Sequence, residues 1–390
     1  MKIFGYLILL ILIGWHNKCH SQALSGTNFN YLYNPLNEIS FQHKVVNEKN
    51  KITLYYSLTT SGQQKLSDYQ VDWEKRESLS SKTGNTLPLL DSVIVYYDEK
   101  VLVGKMSFSV PASKWYALVT VTEKDKADRW SYFAVVDPKY PNEAILVSAK
   151  PIFDPFLSVN ENPIVSTEKP NHLYGFYYQG NFDSALPPFI IDQKSSDRFL
   201  FADSTFATPS NEAILFSKQG LYLIQQDTQA VSGLAFRINN ESFPKFTQVK
   251  ELIGPLIYIS TQEEFTKLIN TNGEKAKFDE IILEITGDVD RARNFIRSYY
   301  RRVEYVNKTF SSYKEGWKTD RGMVYLIYGQ PDEVVFGEGT ETWFYKSSKL
   351  KFNFVKSGTI YDPDNHVLVR DKEYARSWYQ TVDLWRKSRF

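Results

Sequence analysis

The sequence predicts a mainly β fold that ends in an α+β region: two N-terminal β-sandwich (Ig-like) domains followed by a C-terminal α+β domain. Two observations support this prediction. Up to about residue 246, short segments rich in β-branched and aromatic residues alternate with polar turn clusters, as in all-β sandwiches. From about residue 256, apolar residues recur every three or four positions, which is the period of helices. We therefore assign residues 1–21 to a signal peptide, 22–140 to an Ig-like β-sandwich, 141–250 to a second β-sandwich and 251–390 to the α+β domain.

The chain starts with the three parts of a secretory signal. Lys2 is followed by an apolar run at residues 3–15 and by small residues before a cleavage site after Ser21 or Ala23. The apolar run is too short to span a bilayer comfortably, and no later segment is apolar enough to do so. We expect an exported protein, periplasmic or associated with the outer membrane, without a transmembrane segment once the signal is removed.

Cys19 is the one cysteine of the chain, and it lies within the signal. A lipidation site has an aliphatic residue three positions before the cysteine and a small residue directly before it, whereas His16 and Lys18 stand there. Lipidation is therefore not expected. After signal removal the chain has no thiol for disulfides or for nucleophilic catalysis.

The composition argues against several classes of function. The 46 basic and 45 acidic residues give a net charge of +1, without the positive excess of nucleic-acid-binding proteins. After signal removal only His43, His172 and His366 remain, far apart in sequence, so we expect no transition-metal site and no cofactor. The 26 Tyr, 26 Phe and 8 Trp residues either fill sandwich cores or present surface patches to a partner.

Several segments of each N-terminal block are predicted strands. In the first block they are residues 52–58, 68–73, 93–97, 104–110, 115–121 and 130–136. In the second block they are residues 173–178, 189–191, 213–216, 221–224 and 233–236, joined by longer polar loops such as residues 192–197. The first block lacks the cysteine pair of immunoglobulin domains, so an Ig-like sandwich without a disulfide is expected.

The C-terminal domain begins with a short helix, for which Ser260 and Glu263 have the spacing of a capping box and which ends near Gly273. Residues 278–285 are predicted to form a strand. Residues 288–310 are the clearest helix of the chain, because their apolar residues form one stripe. The tail is either an exposed docking segment or a closing helix with Tyr374, Trp378 and Leu384 packed inward.

The most constrained stretch is Gly-Trp-Lys-Thr-Asp-Arg-Gly at residues 316–322, followed by an apolar run and by Gly-Gln-Pro-Asp at residues 329–332. Gly316 can adopt a positive φ and end the preceding segment, and Trp317 can anchor the turn in a core. Thr319 or Asp320 can then cap a helix, which a proline at position 331 prevents from continuing.

The same stretch holds the candidate site residues. Arg321 is expected to pair with Asp320, Asp332 or Glu333. A functional interpretation instead groups Thr319, Asp320 and Arg321 with Glu333 or Glu341 beside aromatic walls. An Asp beside an Arg stays ionised and makes a poor general acid, and no phosphate loop, nucleophile elbow or His-Glu-x-x-His motif occurs, so no catalytic residue is predicted. The residues assigned to the motif, in a structural or contact role, are Gly316, Trp317, Thr319, Asp320, Arg321, Gly322, Gly329, Pro331 and Asp332.

The run at residues 316–322, with the Tyr-rich helix before it and residues 329–333 after it, resembles the GWxTD domain. That domain is named for the pentapeptide Gly-Trp-x-Thr-Asp, which is residues 316–320 here, and is found on exported proteins of uncharacterised function. The resemblance covers roughly the last third of the chain and implies no particular activity.

The order of residues 321–331, 341–345, 350–354 and 357–360 is also similar to the small lipoprotein subunit of the outer-membrane β-barrel assembly machinery. In that family a helix ends in Gly-x-Pro and hairpin strands follow, forming a protein-contact module. This chain departs from the family because the similar segment ends a long chain and no lipidated N-terminus is expected.

We therefore predict an exported envelope protein that acts through protein contacts in a structural or assembly role, with an envelope or outer-membrane protein as partner and no nucleic acid. Two alternatives remain open. One is a carbohydrate-active or peptide-processing hydrolase that uses the motif carboxylates. The other is a glycan-binding protein that uses exposed aromatic residues of the sandwiches.

Overall fold

The computed structural model of the protein describes residues 23–48, 50–126, 128–168, 172–180, 182–191 and 200–389. The predicted signal peptide and the polar loop at residues 192–197 lie outside these residues. Among the described residues, sheets make up the N-terminal part and helices appear from Val249 onward, followed by a further sheet. The predicted fold class is therefore confirmed.

Seven strands of the first block form two facing sheets. They are β1 (Ile39–Glu48), β2 (Lys51–Thr60), β3 (Tyr69–Arg76), β4 (Leu89–Tyr97), β5 (Val101–Ser109), β6 (Trp115–Glu123) and β7 (Arg129–Val136). One sheet has the order β1-β2-β5-β4 and the other β3-β6-β7. This is the strand order of a constant-type Ig domain, A-B-E-D against C-F-G. Leu54, Phe108 and Trp115 pack together between the sheets.

The second block contains a five-stranded and a two-stranded sheet. Its strands are β8 (Ile145–Val147), β9 (Phe156–Ser158), β10 (Ile164–Ser166), β11 (His172–Tyr178), β12 (Ser204–Pro209), β13 (Gly220–Gln225) and β14 (Leu234–Asn239). The larger sheet has the order β12-β11-β13-β14-β9, and β10 pairs with β8. Leu146 and Val165 of the small sheet share one core with Phe236 of the large one.

Two predicted strands of this block are wrong. Residues 189–191 and 213–216 are irregular apart from a single bridge at Ala213. Their apolar residues have other partners: Phe189 packs on Tyr379 with ring centroids 5.3 Å apart, and Phe216 is buried against Tyr222. A loop segment whose apolar residues are buried in a core has the same residue types as a short strand, so the sequence does not distinguish the two.

The C-terminal part combines six helices and a four-stranded sheet among the described residues. The helices are α1 (Val249–Ile253), α2 (Gln262–Asn270), α3 (Lys275–Thr286), α4 (Val289–Phe310), α5 (Asp320–Tyr328) and α6 (Tyr374–Arg386). The strands are β15 (Glu333–Gly337), β16 (Thr340–Tyr345), β17 (Leu350–Lys356) and β18 (His366–Leu368), in sequence order within the sheet. The 3-10 turns are Leu24–Gly26, Asn30–Tyr33, Leu66–Asp68, Gly254–Tyr258 and Gly316–Lys318.

The strand predicted at residues 278–285 is wrong, because this segment belongs to α3. Its buried residues are Phe278, Ile281, Ile282 and Ile285, whose spacing places them on one helical face. The β-branched residues suggest a strand, yet the buried residues recur every three or four positions, as in a helix. Gly287, with φ of 86°, ends the helix in the left-handed conformation.

The long helix predicted at residues 288–310 is confirmed as α4, with Asp288 as its N-cap. The capping box of α2 is displaced by one residue from the predicted one. The Thr261 hydroxyl accepts from the Glu264 amide at 3.2 Å, and the Glu264 carboxylate accepts from the Thr261 amide at 2.8 Å. Residues 374–386 form the helix α6, but Trp385 is its fully buried residue and Leu384 is 43% exposed.

Residues 24–34 pack against the C-terminal sheet rather than belonging to the first sandwich alone. The Phe29 amide donates to the Val334 carbonyl at 2.8 Å, and the Asn28 side chain accepts from the Val334 amide at 2.9 Å. Phe29 is fully buried, and its ring lies 5.2 Å from that of Phe336. We call residues 24–34 the N-terminal strap.

No helix in the described part of the chain is both long enough and apolar enough to span a bilayer.

Candidate functional site

The predicted motif forms the joint between α4 and α5. Residues Gly316–Lys318 make a single 3-10 turn, and Thr319 is the N-cap of α5. The Thr319 hydroxyl accepts from the Gly322 amide at 3.0 Å and donates to the Gly316 carbonyl at 2.8 Å. One side chain thus satisfies an otherwise unpaired helix amide and also locks the preceding turn.

Both glycines of the joint are required by space. A Cβ at Gly316 would lie 2.0 Å from the carbonyl oxygen of Val306, and one at Gly322 would lie 1.8 Å from the carbonyl oxygen of Gly316. The expected positive φ at Gly316 is wrong, since that residue is part of the 3-10 turn and does not have one. A positive φ occurs instead at Gly329, where φ is 81° and α5 ends.

Trp317 anchors the joint in the core, as predicted, and is 7% exposed. Its amide donates to the side-chain oxygen of Asn307 at 3.3 Å, and its carbonyl accepts from the Tyr258 hydroxyl at 3.2 Å. Asn307 is fully buried within α4, and its amide group donates to the Pro244 carbonyl. A buried polar side chain of α4 is therefore satisfied by the motif and by the loop before α1.

Asp320 forms a buried ion pair with Arg370, a residue that follows β18. The Oδ1 atom lies 2.5 Å from Nη2 of Arg370, and the two side chains are 7% and 6% exposed. The Oδ2 atom accepts from the Leu368 amide at 2.9 Å. Arg370 also donates to the carbonyl of Leu186, which belongs to the second block. Asp320 thus connects the first turn of α5 to the edge of the C-terminal sheet.

Arg321 pairs with Glu341 of β16. The predicted pairs of Arg321 with Asp320, Asp332 or Glu333 are not formed; Nη1 of Arg321 lies 3.1 Å from Oε2 of Glu341. Glu341 was grouped with the motif in the functional interpretation, and that placement agrees with the geometry.

Glu341 is completely buried and is held by several donors. Its Oε1 atom accepts from the Tyr33 hydroxyl at 2.5 Å and from Nε1 of Trp343 at 2.6 Å. Burial, and next the charge of Glu341, holds the pKa of Tyr33 well above its usual range. Burial lowers the pKa of Arg321, but Glu341 outweighs it and raises that pKa. This carboxylate is therefore committed to joining the N-terminal strap, α5 and β16.

His366 lies at the edge of this buried group. Its Nδ1 atom is 2.7 Å from the carbonyl oxygen of Asp364, and its Nε2 atom is 4.0 Å from Oε2 of Glu341. Burial and then the neighbouring Arg321 lower the pKa of His366 to about 4, against the opposing effect of Glu341. The ring is therefore neutral at pH 7.

Asp364 connects the C-terminal sheet to the first sandwich. Its carboxylate lies 2.6 Å from Nζ of Lys356 and accepts from the Tyr140 hydroxyl at 2.8 Å. Desolvation raises the pKa of Asp364, but Lys356, Tyr140 and His43 together lower it to about 2. The neighbouring Asp362 has a pKa raised by burial.

The second half of the motif shapes the hairpin that follows α5. The Gly329 carbonyl accepts from the Tyr345 hydroxyl at 2.8 Å, and Pro331 is buried. Asp332 is exposed; its carboxylate accepts from the Lys346 amide at 2.7 Å and its carbonyl from the side chain of Asn28 at 3.2 Å. Gly329, Pro331 and Asp332 therefore act on the hairpin and the strap.

The structure brings Thr319, Asp320 and Arg321 into one polar layer, but it directs their side chains to three separate partners. Asp320 faces Arg370 and Arg321 faces Glu341, so the motif carboxylate and guanidinium do not share a cleft. Within the described ranges, no group of three or more His, Cys, Asp or Glu residues is arranged to hold a metal ion.

Three important partners, Asn307, Tyr33 and Arg370, have no sequence signal of their own. Asn307 lies in the last turn of an amphipathic helix, where a polar residue normally indicates the solvent face. Its position between the buried Val303 and Phe310 on the apolar stripe is the one local sign of a buried role.

A cavity of about 760 Å³ lies away from the motif, on the second block. Its lining contains neutral hydrogen-bonding side chains, one lysine, a tyrosine and two aliphatic residues. The lining residues are Val159, Asn160, Tyr177, Gln179, Leu215, Ser217, Lys218 and Gln219.

Comparison with known proteins gives few relatives. No curated protein matches the chain. Among solved structures, a chimeric titin Z1Z2 functionalized with a KLER exogenous peptide from decorin is similar at 13% identity, over 52% of this chain and 96% of that chain, with a TM-score of 0.19. So low a structural similarity carries no argument. The comparisons do not support the similarity to the small lipoprotein subunit of the β-barrel assembly machinery.

A family model does match the C-terminal part. The matched residues, 220–387, begin at the first residue of β13 and include the joint, the hairpin and α6. They extend further toward the N-terminus than the predicted boundary at residue 251. The family model is that of the GWxTD domain, and residues 220–387 of this chain carry one.

Proposed function

We propose that this protein is exported to the cell envelope and acts there through protein–protein contacts, in a structural or assembly role. The observation that carries the proposal is the commitment of the motif's charged groups to internal ion pairs. Asp320 is paired with Arg370 and Arg321 with the fully buried Glu341. A site whose buried charged groups are paired inside the fold is suited to a rigid scaffold rather than to a reaction centre.

Export is supported by the sequence of residues 1–21, and the packing of the residues that follow bears on the position of cleavage. Leu24 is 3% exposed, and the Ala23 carbonyl accepts from the Thr27 hydroxyl at 3.2 Å. Cleavage after Ser21 leaves both contacts intact, whereas cleavage after Ala23 removes the second. We therefore propose cleavage after Ser21, which N-terminal sequencing of the protein from an envelope fraction would test.

The same geometry weakens the case for a hydrolase. A general acid or a nucleophilic carboxylate must reach the substrate within hydrogen-bonding distance. Both oxygens of Asp320 already have partners, and Glu341 has no exposed surface.

A second candidate function, glycan binding, is favoured by the cavity on the second block. Its neutral amide and hydroxyl side chains, such as Gln179, Ser217 and Gln219, are donors and acceptors that suit sugar hydroxyls. Titration with oligosaccharides, comparing the protein with its Gln179→Ala variant, would test it. Loss of a measured affinity in the variant is the expected result.

Affinity capture from detergent-solubilised envelopes tests the contact role. The protein and its Asp290→Ala variant, which changes one exposed carboxylate, are expected to recover the same specific partner. An Asp320→Ala variant is expected to be marginally stable and to recover less of that partner. The proposal fails if no specific partner is recovered and if a folded Asp320→Ala protein has lost a hydrolytic activity that the unmodified protein has.

A further inference from the structure

Strand β4 is an apolar edge strand that is exposed along its whole length. It lies at the end of the sheet order β1-β2-β5-β4 and pairs with β5 on one side. All nine of its residues are exposed. Seven of them are large and apolar, with exposed fractions from 40% at Val93 to 59% at Leu90.

Such an edge is uncommon in a stable monomer. Proteins normally protect edge strands with charged residues, prolines, bulges or short length, because the outer edge offers backbone groups for pairing with another chain. In β4 the one charged residue is Asp91. The pairing with β5 shifts around residues 90 and 95, but residues 91–94 pair regularly with Ser107 to Gly104. The central part of the edge therefore remains available as a template.

We infer that β4 pairs with β4 of a second copy of this chain in antiparallel orientation, which joins the two four-stranded sheets into one continuous sheet. The inference deepens the proposed contact role, on which it rests, by naming one partner. A two-fold pair uses the same strand on both copies, so it covers both edges at once and closes.

The exposed area supports a dimer. Large apolar side chains have areas on the order of 200 Å². With seven of them about half exposed, β4 presents roughly 600 Å² of apolar side-chain surface per copy. This is at the upper end of the patches found on monomers, and edge-to-edge pairing would cover the part of it that faces the second copy.

Charge favours the antiparallel orientation. In a parallel pair in register, Asp91 would lie opposite the same carboxylate of the second copy, which is destabilising. In an antiparallel pair centred on Ile94, Asp91 lies opposite Tyr97, and the two aspartates are separated. Ile94 then faces its own counterpart across the two-fold axis.

The test uses sedimentation velocity of the purified protein over a range of concentrations. The protein is expected to dimerise, and Ile94→Lys is expected to raise the dimer dissociation constant by about tenfold or more, because it places two like charges opposite each other. Val355→Lys is the matched control, since Val355 is 43% exposed on another sheet and Ile94 is 47% exposed on β4. The control should leave the dissociation constant unchanged, and circular dichroism should show both variants folded.

Cross-linking tests the register independently. In a Cys19→Ser background, Ile94→Cys should form an intermolecular disulfide under mild oxidation, because directly opposed residues of antiparallel strands lie within disulfide reach. A protein that stays monomeric at about 100 µM, or a dimer unaffected by Ile94→Lys, would overturn the inference. A monomer that captures a different envelope protein through β4 would also overturn it, while the proposed contact role would stand.

Discussion

Replacing Asp320 with alanine tests whether the motif is a structural joint. In the folded protein this carboxylate is 7% exposed; it lies 2.5 Å from the Arg370 guanidinium and accepts from the Leu368 amide at 2.9 Å. The substitution leaves a buried guanidinium without its counter-charge and a buried amide without its acceptor. It also removes a negative charge from the first turn of α5.

The expected loss of unfolding free energy is large. Removing one partner of a buried ion pair costs about 3–5 kcal/mol, and the charge at the helix N-terminus contributes about 0.3–1 kcal/mol more. A domain is stable by only about 5–15 kcal/mol, so the variant is expected to be marginal. Asp290→Ala is the matched control, because Asp290 occupies the first turn of α4 and pairs with Arg293 at 2.9 Å but is 85% exposed. Its expected cost is below about 1 kcal/mol.

Urea denaturation followed by circular dichroism measures both variants, with an unchanged m-value as the condition for comparing midpoints. The double variant Asp320→Ala with Arg370→Met should be more stable than Asp320→Ala alone, because it removes the uncompensated charge. The reasoning is refuted if Asp320→Ala costs no more than Asp290→Ala. It is also refuted if the double variant recovers nothing relative to the single one.

Three further substitutions test neighbouring parts of the site. Gly322→Ala should destabilise the fold by about 3 kcal/mol in thermal melts, since the new Cβ would lie 1.8 Å from a backbone carbonyl oxygen. Gly26→Ala is the control and should cost little, because no heavy atom lies within 4 Å of the added carbon. Tyr33→Phe should cost about 1.5–3 kcal/mol in urea by removing a donor to the buried Glu341, and an unchanged midpoint would contradict that contact. The pKa of His366 is about 4 in the folded protein, so the unfolded chain takes up a proton first as the pH falls below about 6.5; stability should decline by up to about 3 kcal/mol between pH 6.5 and 4. His366→Gln should remove that part of the decline in denaturation series at several pH values, and an identical pH profile would refute it.

The local geometry of the joint is predictable from residue chemistry, whereas its long-range partners are not. A cap such as Thr319 finds its partner three residues away, so residue type and spacing are sufficient. The positive φ expected at Gly316 is wrong because the sequence alone does not distinguish a glycine needed for close backbone approach from one needed for a positive φ. Asp320 and Arg370 are 50 positions apart, and neither residue type nor spacing identifies such a pair.

The fold shows the same division. Most strands of the first sandwich are predictable from their β-branched and aromatic residues, even where burial does not alternate, as in the fully exposed β4 and the almost fully buried β6. The exception is β1. Its central residues, from Gln42 to Lys44, are polar or half-exposed and lack an apolar alternation. In α3 the residue types favour a strand while the burial follows a helix, so tertiary packing overrides the local preference. Phe189 was assigned to a strand because the sequence gives no indication that it packs on α6.

The position of the joint explains why so many hydrogen bonds and ion pairs involve the few residues of the motif. Glu315, directly before it, pairs with Arg237 of β14 at 3.2 Å, and the Lys318 carbonyl accepts from the Ala185 amide of the second block at 2.9 Å. Arg321 is linked to the N-terminal strap through Glu341, which accepts hydrogen bonds from both Arg321 and Tyr33.

Each of these contacts attaches a different segment of the chain to the same short turn. A turn that holds several segments must have a fixed shape, because a displacement of the turn would disturb all the attachments together. This requirement accounts for the glycines that allow close approach, the tryptophan that anchors the turn in the core and the buried charges that set its orientation. The matched residues begin at Gly220, and β13 is itself in contact with the segment before the joint, because Tyr313 packs against the cluster that contains Leu221.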